Sequence, residues 1–230
     1  MEKNMTTKAL QVHALLVRYY EGPFQHPQEN DPLSEMIGAM LSHRTKNERT
    51  AEAFENMREL FPSWEDVRTA DTEELVQSIY SVTFPGQKAR RIQAALDIVK
   101  EAHVDKELSL DFLKGMKGPE ARKWLEQIPG VGAKTSAAVL NFSTLQLPAL
   151  VVDTHHLRVA KRLGWIPKKA GIPKAEKIMT AFLPKDWDAQ EMYDHHEALM
   201  YHGQRCCYPK NPACMRCPIS DHCIYGQEVL

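Results

Sequence analysis

Residues 128–136 read Ile128-Pro129-Gly130-Val131-Gly132-Ala133-Lys134-Thr135-Ser136, with two glycines and a proline just ahead of a lysine. The third glycine of a dinucleotide fingerprint is missing, since Thr135 stands at its place and no strand precedes it. The glycines are also too close together for a P-loop. What remains is helix, tight turn, helix, with the second helix starting near Gly132. The free N–H groups of its first turn form an anion site that suits a DNA phosphate. Lys134 sits in that turn, where the positive end of the helix dipole disfavours its ammonium form. A neutral amine there is a nucleophile toward a sugar carbon and forms a Schiff base. On these residues alone, a plain hairpin turn and a solvated lysine stay open as alternatives.

Helical periodicity extends on both sides. Val12, Leu15, Leu16, Tyr19 and Tyr20 fit one buried helix face, as do Leu33, Met36, Ile37, Met40 and Leu41. Asp31 and Pro32 are the expected cap and first turn of the second of these. Asp71 and Glu74 resemble a capping box ahead of Leu75 and Ile79. Pro85-Gly86 precedes a helix containing Ile92, Ala95, Leu96 and Val99, and Gly118-Pro119 opens another through Trp124 and Leu125. The best strand candidate, residues 147–152, contains Pro148 and reads as an extended connection. The expected fold class is all-α.

The 230 residues carry a net charge of −1, so the overall balance does not announce a nucleic-acid binder. Its distribution is uneven. Residues 48–74 hold nine acidic side chains against three basic, and residues 158–177 hold seven basic against one acidic. Such a molecule can present one face to a polyanion, although two solvated helix surfaces give the same pattern. No apolar run reaches membrane-spanning length, and the N-terminus lacks the pattern of a secretory signal. A cytoplasmic, nucleoid-associated location is the expectation.

Four of the five cysteines follow one spacing, Cys207-x6-Cys214-x2-Cys217-x5-Cys223, with Pro209, Pro212 and Pro218 among them. Four thiolates in a short, helix-poor loop suit a tetrahedral soft-metal site, either zinc or an iron–sulfur cluster. Cys206, directly beside Cys207, is expected to stand outside that set as a structural residue.

Taken together, these residues resemble the helix–hairpin–helix DNA glycosylases, most closely the endonuclease III family, over nearly the whole chain. IPGVGAKTS is similar to the family's hairpin with its catalytic lysine, and VVDTHHLRVAKRLGW (151–165) to the segment carrying its aspartate. The cysteine spacing resembles that of the family's [4Fe–4S] loop, and LSHRTKNERT (41–50) its LSAQTTD-type segment. The resemblance implies two helical domains flanking a DNA-binding cleft. One is a six-helix barrel with the hairpin, residues 31–141. The other is an iron–sulfur cluster domain formed by residues 1–30 and 142–230, with the cluster loop at 207–223. The implied partner is double-stranded DNA containing damaged bases or abasic sites, bound by a monomer without membrane contact.

Carried over residue by residue, the resemblance makes Lys134 the nucleophile and Asp153 the essential carboxylate, which also reads as a helix N-cap. Cys207, Cys214, Cys217 and Cys223 become the cluster ligands. Gly130, Val131 and Gly132 grip a phosphate through main-chain N–H groups. Arg44, Phe84 and Lys210 contact DNA, and the basic run 158–177 and Arg216 are expected along the phosphates. Two positions depart from the family pattern. Arg44 replaces a glutamine that fills the space left by a flipped base, and Phe84 replaces a wedge leucine; an ordinary core role for Phe84 is the alternative. The Lys134–Asp153 spacing is also about one residue longer than the family's usual one.

The implied activity is a bifunctional glycosylase for oxidised pyrimidines that cleaves the abasic site by β-elimination. A monofunctional uracil or mismatch glycosylase on the same fold is the competing enzyme reading. A non-catalytic DNA-binding or redox-sensing iron–sulfur protein is the reading from another class.

Overall fold

The computed structural model describes residues 2–27, 29–102 and 107–230. The protein is all-helical, and among the described residues there is no strand. None of these helices is long and apolar enough to cross a membrane. Contacts divide the chain into two units, residues 28–145 and residues 1–27 with 146–230. Helix α1 (Glu2–Tyr19) opens the chain and belongs to the second of these.

The unit 28–145 contains α2 (Pro32–Ser42), α3 (Asn47–Leu60), α4 (Trp64–Thr69), α5 (Thr72–Ser78), α6 (Pro85–Ala102), α7 (Gly118–Leu125) and α8 (Ala133–Phe142). Asp31 caps α2 by accepting the N–H groups of Leu33 at 3.0 Å and Ser34 at 2.9 Å, with Pro32 in the first turn. The expected α2 face, Leu33, Met36, Ile37, Met40 and Leu41, is buried throughout. Each such side chain contributes about 2 kcal/mol of transfer free energy. Ile92, Ala95, Leu96 and Val99 of α6 are likewise fully buried. Asp71 caps α5 through the N–H groups of Glu73 and Glu74, but Glu74 does not reach back to complete a box. The reciprocal boxes form at Ser63/Asp66 and Asp188/Glu191 instead.

The other unit packs α1 with α9 (Thr154–Arg162), α10 (Ile172–Phe182), α11 (Ala189–Arg205) and the short α12 (Ile224–Val229). Its core gathers Val12, Leu16, Val152, Val159, Trp165 and Met179 among others. The expected face of α1 is corrected here. Ala9, Val12 and Leu16 are buried, whereas Leu15 and Tyr19 are 39% and 52% exposed. The stripe that meets the core runs through 9, 12 and 16, and the two apolar residues beside it fall at its rim. Residues 147–152 form a connection with no regular secondary structure, consistent with Pro148.

Candidate active site and metal centre

Helix α7 ends at Leu125, and the turn to α8 closes through the Ile128 and Val131 N–H groups, which donate to the Leu125 and Ile128 carbonyls at 3.1 and 2.9 Å. Glu126 clasps the hairpin. Its Oε1 accepts from Arg122 Nε at 2.8 Å and from Ser136 Oγ at 2.9 Å, joining the end of α7 to the start of α8. Gly130 sits at φ +94°, a left-handed conformation that costs any residue with a Cβ. Gly132 differs, since its φ of −110° admits any side chain and a Cβ there would meet nothing within 4 Å. Nothing in the fold of this unit demands glycine at 132.

One expectation for the turn needs correction. Val131 is 5% exposed and its N–H is already bonded to Ile128, so neither its side chain nor its amide is available to a phosphate. Gly132, by contrast, caps α8 without a side-chain bond, and the N–H groups that follow are the unsatisfied donors of a helix start. Lys134 is exposed in this first turn.

The surroundings of Lys134 include a residue that sequence reading passed over. His43, just past α2, pairs its Nε2 with Thr135 Oγ1 at 3.1 Å. Burial foremost, then the charges of Lys134, Lys88 and Arg91, push its pKa down, so at neutral pH the ring is uncharged. Glu35 on α2 feels the lysine too. Burial pushes its carboxyl up to about 7, against the opposing pull of the Asn30 amide and the Lys134 charge.

Arg44 and Phe84 are both exposed and both at positive φ, +56° and +58°. Their loops are stitched together. Thr83 donates from Oγ1 to the Arg44 carbonyl at 2.8 Å and from its N–H to Thr45 Oγ1 at 3.1 Å. Beneath them the buried Lys88 Nζ donates to the Leu41 carbonyl at 2.5 Å, to the His43 carbonyl at 2.9 Å and to Thr45 Oγ1 at 2.8 Å. Burial lowers its pKa to about 8. Phe84, at 59% exposure, is not a core residue.

In the other unit, Asp153 caps α9, its Oδ1 accepting the His156 N–H at 2.7 Å. Burial pushes this carboxyl up, but His196, the His156 N–H and the neighbouring imidazoles outweigh it and hold the group below the usual carboxylate range. It is therefore ionised at neutral pH. The His156 ring beside it is fully buried, and its pKa is pushed down to about 3, chiefly by that burial.

Cys207, Cys214, Cys217 and Cys223 are all free thiols that line one pocket. Arg162 Nη1 lies 3.1 Å from Cys207 Sγ, and the Gly226 N–H points at Cys223 Sγ from 3.3 Å. Donors aimed at sulfur suit thiolate ligands and an iron–sulfur cluster. Burial pushes the Cys217 thiol up to about 12 and raises Cys223 as well, so thiolates here require metal charge. The residues present fit a cluster. Gly164, at φ +75° just past α9, lets Ile224 of α12 pack against the end of α9, since a Cβ there would collide with the Ile224 side chain.

Two expectations for this loop change. Cys206 lines the same pocket and does not stand apart from it, together with His202 of α11. Arg158 and Arg162 do not lie outward for phosphates. Arg158 donates to the carbonyls of Cys207 and Gly203 at 2.9 and 2.7 Å, and Arg162 to those of Tyr208 and Pro209 at 2.7 and 3.1 Å. A loop without a ladder needs donors for its carbonyls, and these two guanidiniums supply them. Arg216 is similarly held by the Arg205 carbonyl at 3.1 Å. Lys168, Lys169, Lys174, Lys177 and Lys210 remain exposed.

Comparisons with known proteins identify the family. Residues 37–185 match the HhH-GPD superfamily base excision DNA repair proteins, and residues 207–223 match the iron–sulfur binding domain of endonuclease III. Endonuclease III of Thermotoga maritima is 31% identical over 199 residues, covering 86% of this chain and 85% of its own. Endonuclease III of Haemophilus influenzae is 29% identical, covering 97% of this chain and 98% of its own. A trapped endonuclease III–DNA covalent intermediate shares the fold with a TM-score of 0.80 at 23% identity, over 97% of each chain. The chain therefore belongs to the HhH-GPD superfamily of base excision DNA repair proteins and, within it, to the endonuclease III family of iron–sulfur DNA glycosylases and abasic-site lyases.

Proposed function

We propose that this enzyme excises oxidised pyrimidines from duplex DNA, as a monomer, with Lys134 as nucleophile and Asp153 as the essential carboxylate. The observation that carries the reading is Lys134 itself, exposed at the uncapped start of α8 beside a neutral imidazole. The lone pair of the Lys134 amine attacks C1′ of the flipped nucleotide while the glycosidic bond breaks, and the base leaves with the bonding electrons and takes up a proton. Asp153, already ionised, stabilises the positive charge that develops on the sugar. The amine then loses its proton and the sugar ring opens to a Schiff base. That imine makes the C2′ proton acidic; its removal expels the 3′ phosphate by β-elimination, and water releases the enzyme.

The DNA-binding roles follow the exposed donors. The amides at Gly132 and the start of α8 hold a backbone phosphate, Arg44 and Phe84 enter the space at the flipped base, and Lys210 contacts a neighbouring phosphate. Cys207, Cys214, Cys217 and Cys223 would hold a [4Fe–4S] cluster that anchors the Lys210 loop and takes no part in base excision. The test is a panel of single-lesion duplexes varied in the opposite base. Strand cleavage is expected at oxidised pyrimidines and at abasic sites. Base release from uracil or mismatches without strand cleavage would instead establish the monofunctional activity.

A further inference from the structure

At the end of α11, His202 and Cys206 stand four residues apart, which places both on one helix face. The last turn is closed, with the Cys206 N–H donating to the His202 carbonyl at 3.0 Å. His202 Nε2 lies 3.7 Å from Cys217 Sγ, and the three donor atoms of His202, Cys206 and Cys217 all lie within 4.8 Å of one another. Tetrahedral zinc, with bonds of about 2.3 Å to sulfur and about 2.0 Å to nitrogen, sets neighbouring ligand atoms roughly 3.5–3.8 Å apart. The His202–Cys217 separation already matches that, and the other two lie within 4.8 Å. The far side of the imidazole is occupied as well, since Nδ1 lies 3.1 Å from Tyr20 Oη, the kind of outer partner that fixes a metal-binding histidine. His202 and Cys206 are buried, at 1% and 5% exposure, while Cys217 is partly exposed and leaves a side open to solvent.

We propose that His202 Nε2, Cys206 Sγ and Cys217 Sγ form a second metal site, for a thiophilic divalent cation such as zinc, in chains that have not acquired the cluster. Because Cys217 belongs to both ligand sets, the two occupancies exclude each other. On binding, the two thiols lose their protons to solvent, and the two thiolates balance the two charges of the cation, as a largely buried site requires. In the liganded tautomer Nδ1–H donates to Tyr20 Oη and the lone pair of Nε2 meets the metal. The fourth position stays open. The inference rests on the assignment of the cluster to Cys207, Cys214, Cys217 and Cys223 only through the shared Cys217.

The full chain is produced in two media, one iron-restricted with added zinc and one iron-replete, and zinc, iron and sulfide are counted per chain. Zinc affinity is measured against a competing chelator, and the cobalt-substituted protein is read for sulfur-to-cobalt absorption. Cys206→Ser and His202→Gln are expected to weaken zinc binding by about tenfold or more. Cys206→Ser should still take up iron and sulfide in replete medium, which shows that its fold is intact. Cys214→Ser should lose the cluster and keep the zinc. Zinc retained by Cys206→Ser, or lost as fully in Cys214→Ser, overturns the proposal. Iron retained by Cys214→Ser counts separately against the cluster assignment.

Discussion

His43 Nε2 and Thr135 Oγ1 are paired at 3.1 Å, which ties the end of α2 to the helix turn that carries Lys134. Thr135 is 2% exposed, so its hydroxyl has no recourse to water if the pair is broken. His43→Ala is expected to destabilise the protein by about 1–2 kcal/mol, the usual penalty for an unpaired buried polar group. Denaturant unfolding measures this. Imine formation at Lys134 should slow as well, because the turn that positions the amine loses a tether. A variant as stable and as fast as the parent would mean the pair does neither.

The two hairpin glycines separate fold from function. Gly130→Ala places a Cβ at φ +94° and should cost about 1–2 kcal/mol of stability. Gly132→Ala meets no neighbour and should cost only the N-cap preference for glycine over alanine, about 1 kcal/mol or less. It should nonetheless weaken binding to an abasic-site duplex, because the methyl group stands where the phosphate approaches. Unchanged affinity in Gly132→Ala would remove the phosphate from that turn.

Lys88 satisfies three acceptors beneath the Arg44 and Phe84 loops. Lys88→Met keeps the aliphatic stem and should cost about 2–3 kcal/mol, since charged donors are lost from buried carbonyls. Steady-state assays on a lesion duplex should show KM rising more than kcat falls. Arg44→Gln should shift opposite-base preference more than it alters cleavage at abasic sites, and equal losses in both would count against a base-reading role. Phe84→Leu tests the wedge in the same assay.

Acid stability should report on His156. Its folded-state pKa, about 3, lies below the ordinary 6.5, so the unfolded chain takes up the proton first. The stability contributed by the neutral ring is complete above pH 6.5 and is lost as pH falls from 6.5 toward 3. His156→Leu should flatten that part of the stability–pH curve by a few kcal/mol, at about 1.4 kcal/mol per pH unit between the two values. Parallel curves for the two proteins would contradict the burial argument.

Much of this was legible in the sequence, and the reasons are local. The faces of α2 and α6 follow from 3.6-residue periodicity, and the cap at Asp31 needs only the next three residues. The cysteine spacing likewise declares a metal loop within seventeen residues. What escaped is set by packing between distant segments. His43 gains meaning only when α2 meets α8, and Arg158 and Arg162 look like solvated cations until the loop carbonyls 45–49 residues away arrive beside them. The pairing of His202 with Cys206 depends on α11 continuing to Arg205, which places the two on one face. A histidine four residues ahead of a cysteine at a helix end was the available signal.

The central claim is that Lys134 is the nucleophile. Its most direct test is borohydride reduction of the enzyme on a duplex with one abasic site, followed by tandem mass spectrometry of the trapped peptide. The expected result is a deoxyribose adduct on Lys134, absent in Lys134→Ala. An adduct on another residue, or one that persists undiminished in Lys134→Ala, would contradict the account.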